Sequence, residues 1–199
     1  MKSKKPKAYN KMIKQLSAIL LLSLLFTPAK AQELAGISVP DSITLSNGDS
    51  LQLNGMGLRE KLWIDVYVGS LYLPSKANNV ADVLAQPGAF RIQMDIIYNE
   101  ISSSKLIDAW NEGFEKNQSE EVMKAIADRI NRFNQLFEES AKKGDRYVID
   151  YLPGEGCLVS KNKVPLGRIE GEDFRTALLE IWLGNFPADK DLKRGMLGQ

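Results

Sequence analysis

The sequence predicts an α+β domain: an antiparallel sheet with helices packed on one face. Two observations predict it. Phe90–Ile97 alternates, with Phe90, Ile92, Met94 and Ile96 on one side and Arg91, Gln93 and Asp95 on the other. That period of two marks a strand buried on a single face, as in antiparallel sheets. Along the chain the patterns run strands, helices, strands, helix, which is not the strand–helix alternation of a parallel sheet.

Each element has its own signal. Ile43–Leu45 and Leu51–Leu53 flank Asn47-Gly48-Asp49, a hairpin turn signal. Leu62–Leu73 is rich in valine, isoleucine and aromatics and stops at Pro74, as a strand does. Asn78–Ala85 reads as a short helix closed by Pro87-Gly88. Ser102–Ser104 supplies N-cap candidates for a helix over Lys105–Lys116. A longer helix is predicted over Ser119–Lys143, where Glu120 and Glu121 suit the positive end of the macrodipole. Its Val122, Ile126, Ile130, Phe133 and Phe137 form one apolar stripe, and Gly144-Asp145 ends it. Strands follow at Arg146–Leu152, Cys157–Ser160 and Val164–Ile169. Gly171-Glu172-Asp173 opens a helix running to Leu183, stopped by Gly184 and Pro187, and Asp189 caps a last short turn.

Residues 1–31 read as a cleaved signal peptide, with a retained anchor as the alternative, that precedes a single domain over 32–199. Six lysines within the first 14 residues, an 11-residue apolar run at Leu16–Phe26 and Ala29-Lys30-Ala31 are its three parts. The run is too short to cross a bilayer, which takes about 20 residues, so no membrane span is expected after cleavage. Removing the leader takes the 26 basic residues down to 19 against 25 acidic, and the net charge from +1 to −6. Such a domain lacks the basic field that nucleic acid requires. Cys157 is the only cysteine, so no internal disulfide forms. Histidine is absent, which excludes Ser-His and Cys-His mechanisms and the commonest zinc ligand. No glycine-rich phosphate loop and no metal-ligand spacing is present, and no cofactor or metal is expected.

Arg59 is the foremost candidate residue. Its planar, permanently charged fork matches a carboxylate or enolate in two hydrogen bonds. Gly55 and Gly57 upstream let the backbone bend or approach a ligand. The plainer reading is a strand-end arginine paired with Glu60 or Asp65. Tyr67 is the second candidate, on a geometric condition. Eight residues of straight strand span about 26 Å, so Arg59 and Tyr67 share a ligand only if the chain turns between them, most simply at Glu60-Lys61. Tyr72, also a candidate for the pocket, falls on the opposite strand face from Tyr67 unless a bulge intervenes. Trp110, Phe114 and Trp182 are either core or pocket wall. The acid pairs Glu120-Glu121, Glu138-Glu139 and Glu172-Asp173 read as solvated helix faces or caps.

Two blocks carry a family resemblance. The first, LNGMGLREKLWIDVYVGSLYLP, spans Leu53–Pro74, and the second, DFRTALLEIWLGNFPADKDLKRGMLG, spans Asp173–Gly198. Together they resemble the chalcone isomerase-like family, in particular its bacterial exported members. The resemblance implies an open-faced sandwich with helices over one side of a large sheet. It also implies that Arg59, in its G-x-G-x-R setting, faces the ligand cleft beside Tyr67. Plant isomerases carry threonine at the place of Tyr67, and fatty-acid-binding members carry tyrosine. Other catalytic positions have no match. The isomerases space a tyrosine, a lysine and an asparagine along one helix, whereas Ser119–Lys143 has no tyrosine and offers only Asn131 and Asn134. Isoleucine, in Glu180-Ile181-Trp182-Leu183-Gly184, replaces their last-helix hydroxyl. The expectation is an exported protein that binds a fatty-acid-like or other small amphipathic carboxylate without catalysis. The alternatives are an intramolecular lyase or isomerase, with Arg59 steadying an oxyanion, and an accessory envelope protein with a vestigial pocket.

Overall fold

The computed structural model describes residues 31–199. The leader expected over 1–31 therefore lies, except for Ala31, outside the described residues. Strands β1 (Ala31–Leu34) and β2 (Ile37–Pro40) form a separate hairpin. Then follow β3 (Ser42–Thr44), β4 (Ser50–Lys61), β5 (Ile64–Leu73), helix α1 (Val80–Ala85) and β6 (Phe90–Ile96). Next come β7 (Glu100–Ile101), α2 (Ser103–Asn117), α3 (Glu120–Asn134) and β8 (Ala141–Lys142). The chain closes with β9 (Arg146–Leu152), β10 (Gly156–Lys161), β11 (Val164–Ile169), α4 (Glu172–Leu183) and α5 (Lys190–Met196).

Seven strands make one sheet in the order β11-β10-β9-β6-β5-β4-β3, and every neighbouring pair is antiparallel. Helices cover one face of it. The alternating residues of β6 explain the choice, since Phe90, Ile92, Met94 and Ile96 join the core shared with the helices. Ser102 and Ser119 cap α2 and α3, each accepting a backbone N–H of its own first turn. Ile126, Ile130 and Phe133 of α3 are buried in that core. Helix α4 is buried around most of its circumference and lies centrally. A Cβ on Gly113 would sit 2.8 Å from Ile181 Cγ2, so glycine there lets α2 come close to α4.

Two boundaries differ from the expectation. The helix predicted over Ser119–Lys143 stops at Asn134. Gln135–Phe137 tightens into a 3-10 turn that buries Phe137, and Ala141-Lys142 pairs instead with β7. No glycine or proline occurs between Asn134 and Gly144 to signal that break. The strand predicted over Leu62–Leu73 starts at Ile64, because Leu62 and Trp63 form the tip of a hairpin between β4 and β5. Their φ values are 52° and 63°, the left-handed pair required by the tight turns that suit strand twist. The chain thus turns two residues beyond Glu60-Lys61, and Arg59 lies near the end of a twelve-residue strand.

Candidate functional site

The hairpin sets Arg59 directly opposite Tyr67, with the guanidinium carbon 5.6 Å from the ring centre. Gly55, Gly57 and Arg59 alternate along β4 and share the helix-facing side. The two glycines serve packing of the chain on itself, not close approach to a ligand. A Cβ on Gly55 would lie 2.1 Å from the Gly195 carbonyl oxygen, and one on Gly57 would lie 2.7 Å from that of Leu192. Gly69, paired with Gly57, leaves room for the Leu192 side chain. Helix α5 therefore presses on bare backbone, held also by Asn54, whose Nδ2 donates to the Met196 carbonyl at 2.7 Å. Asp189 Oδ1 caps α5 by accepting from the Asp191 and Leu192 amides. The two sequence blocks are one contact, and Arg59 emerges beside it.

Tyr67 is buried, and its hydroxyl accepts from Trp182 Nε1 at 2.9 Å. Burial pushes its phenol up from the ordinary value, against the opposing pull of the Arg59 charge and of the Trp182 hydrogen bond. Tyr67 thus keeps its proton at neutral pH and retains it to donate. A small enclosed cavity of about 30 Å³ is lined by Arg59, Tyr67 and Trp110, with Met94, Ile96 and Tyr147 among its walls. Arg59 Nε and Trp110 Nε1 are both buried without a hydrogen-bond partner. Among the described residues no ion pair engages Arg59, so neither Glu60 nor Asp65 holds it. Three donors without acceptors border one space.

A second, open cavity of about 340 Å³ shares Arg59, Ile101, Lys105 and Ala109 with the first. That volume lies at the lower end of small-molecule sites. Its rim includes Lys105, Asp108, Ala109 and Glu112, one face of α2, together with Leu62, Ile64 and Tyr98.

Other sequence candidates lie elsewhere. Tyr72 points to the opposite sheet face, where its hydroxyl donates to the Pro40 carbonyl at 3.0 Å within a separate cluster of Val39, Leu51 and Leu53. The bulge between Leu53 and Gly55 does not bring it round, since it falls in β4 and not between Tyr67 and Tyr72 of β5. Phe114 is core, packed edge-on to Phe133 at 6.1 Å. Asn131 is exposed, and Asn134 donates to Asn111. Glu172 accepts from the Tyr151 hydroxyl, and Asp173 pairs with Arg129. Cys157 is buried, and that burial pushes its thiol up to about 12. Sequence reasoning missed Trp110 as a donor and Lys105 as a neighbour of Arg59. A tryptophan on a helix face otherwise apolar was the available signal for the first, because a buried indole N–H needs a partner.

The pattern of the chalcone isomerase-like family matches residues 31–198. The chain belongs to that family. A solved structure, a fatty-acid binding protein of Arabidopsis thaliana, superposes with a TM-score of 0.65 at 19% identity, covering 84% of this chain and 96% of that one. At that identity the likeness shows a shared chalcone isomerase-like fold. Comparison with curated protein sequences gives no match. Among the described residues of this family member, no helix is long and apolar enough to cross a membrane.

Proposed function

We propose that this chalcone isomerase-like protein binds a fatty-acid-like or other small amphipathic carboxylate and does not transform it. One observation carries the reading: Arg59 Nε, the Tyr67 hydroxyl and Trp110 Nε1, all donors without acceptors, border a single buried cavity. An ionised carboxylate is an acceptor only, with several lone-pair sites on two oxygens, and it complements such a set. Leu62, Ile64, Val66 and Ile101 of the adjoining cavity of about 340 Å³ give the apolar surroundings that an acyl chain needs. The Arabidopsis relative of the same fold is a fatty-acid binding protein, which favours the same ligand class here. The same donors would also steady an oxyanion, as an isomerase requires. Catalysis further needs groups that orient the reacting oxygen. Helix α3 carries no tyrosine, and its asparagines point to solvent or to Asn111.

Native mass spectrometry of protein purified from its own host is the direct test, with a bound fatty acid as the expected result. Closure of a hydroxychalcone faster than in solution, abolished in Arg59→Ala, would promote the isomerase instead. No ligand and no turnover would leave the accessory-protein reading. Export belongs to the same proposal. The basic leader, the apolar run and the small-residue site predict a mature N-terminus near Gln32, and envelope protein still starting at Met1 on N-terminal sequencing would refute it.

A further inference from the structure

The tip of the β4–β5 hairpin exposes more apolar surface than any other turn described. Trp63 is 93% exposed, Leu62 77% and Ile64 46%, and Tyr98 stands nearby on the cavity rim. The backbone makes this choice conspicuous. Leu62 and Trp63 both hold left-handed φ values, positions where asparagine and glycine are at ease and bulky side chains are strained. The β10–β11 hairpin has the same two-residue form and places Asn162 and Lys163 there. Asn162 uses its side chain locally, accepting from the Arg146 amide and donating to Asp145. Leu62 and Trp63 have no such local use. Strain retained together with an exposed indole points to work done by the tip.

We propose that this tip inserts into a phospholipid bilayer surface and sets the mouth of the Arg59 cavity against the lipid. The proposal rests on the ligand reading above, because it names where an acyl carboxylate would be collected or delivered. Tip and mouth are continuous, since Leu62 and Ile64 belong to both. Tryptophan and tyrosine prefer the headgroup level of a bilayer, where an apolar ring and a polar N–H or O–H are both satisfied. Lys61 and Lys105, on the same rim, are placed to meet phosphate oxygens while their stems lie along apolar surface. Asp108 and Glu112 on the rim, with Glu60 and Asp65 on the hairpin, offset those lysines. Apolar insertion therefore dominates over charge, and binding should change little with salt.

The test uses vesicles of phosphatidylcholine mixed with phosphatidylglycerol. Of the three tryptophans only Trp63 is exposed, so vesicles should shift the emission of the wild-type protein to the blue. Trp63→Gly fits the left-handed position without strain and leaves the cavity lining intact. It should fold at least as stably as wild type and lose about tenfold or more of its vesicle partitioning in a sedimentation assay, the loss that follows from removing one buried aromatic side chain. Its affinity for octanoate in free solution should stay within about twofold, since Trp63 lies outside the cavity. Equal vesicle partitioning of the variant and wild type would overturn the insertion, and octanoate binding would then still support the ligand reading. Vesicle binding without any octanoate binding would support the insertion and remove the ligand reading. A dimer that dissolves in Trp63→Gly, with vesicles ignored by both proteins, would overturn the proposal in favour of self-association.

Discussion

Arg59 and Arg175 are two arginines at two ends of one core, and they show what separates a ligand arginine from a structural one. Both guanidinium groups lie over aromatic rings: Arg59 over Tyr67 at 5.6 Å, Arg175 over Tyr151 at 4.9 Å and over Phe90 at 5.4 Å. Both have a buried Nε without a partner. Unpaired nitrogen and aromatic stacking therefore do not mark a site by themselves. The difference is room and remaining valence. Arg175 donates through Nη2 to the Gln86 carbonyl at 2.9 Å and lines none of the cavities described above. Arg59 has an unpartnered Nε and no ion pair among the described residues, borders two cavities and has Tyr67 and Trp110 beside it. One charge is spent on the fold, and the other is held ready.

The largest expected effect is set by pH, and the Arg175 end contributes to it alongside the buried phenols of Tyr67 and Tyr72, which burial also pushes up. Burial pushes Cys157 from 9.0 to about 12, and burial followed by the Glu172 carboxylate pushes Tyr151 from 10.0 to about 12. The unfolded chain gives up these protons at the lower values while the folded chain keeps them, so above pH 9 the unfolded state binds fewer protons. Stability is then full below pH 9 and falls as pH rises toward 12, by about 1.4 kcal/mol per pH unit for each fully retained proton. Urea titrations at increasing pH would show this, and Cys157→Ala should flatten the slope. Next, Arg175→Ala should cost about 2–4 kcal/mol of unfolding free energy, through the lost charge-assisted hydrogen bond and cation–π contacts, with octanoate affinity unchanged. Loss of affinity without loss of stability would break the comparison.

Arg59→Ala should do the reverse. Octanoate affinity measured by calorimetry should fall by about 1.5–3 kcal/mol, while urea stability falls by about 1 kcal/mol or less, the worth of its single contact with the Tyr67 ring. Arg59→Lys should restore part of the affinity, since a point charge does not reproduce the planar fork. The smallest change is expected from Trp110→Phe, which removes one donor and should cost about 0.5–1.5 kcal/mol of affinity. Its stability should hold or rise, because an unpaired buried N–H disappears with it. A clear loss of stability there would mean that the indole N–H is satisfied within the fold.

The fold was largely legible because most elements announce themselves through local rules. Ser102, Ser119 and Asp189 cap the helices that their positions predict, and the alternation in Phe90–Ile97 matches a strand in the middle of the sheet. Local rules failed where tertiary contacts decide. Nothing near Asn134 announces that α3 ends there, because the residues beyond it are drawn into the tertiary pairing of β8 with β7. The Leu62-Trp63 turn was hidden because its residues contradict the usual turn chemistry. At the candidate site, Arg59 and Tyr67 could be linked only on condition of a turn between them. Their juxtaposition depends on the hairpin register, whereas Trp110 reaches the same cavity from α2, which no spacing along β4 and β5 encodes.

The glycine seat of α5 has a consequence for exchanging parts between relatives. Gly55, Gly57 and Gly69 on the sheet and Leu192 and Gly195 on the helix fit with no free space for even a methyl group. Grafting the Leu53–Pro74 block of another member into this chain, or the Asp173–Gly198 block alone, would bring together two surfaces shaped for different partners. Arg59 would be displaced even though no residue of the pocket itself had changed. Exchanged as a pair, the blocks carry their own seat with them, and the cavity travels intact. For recombination the unit of inheritance is therefore a contact between segments more than a hundred residues apart in the chain, and not either motif alone.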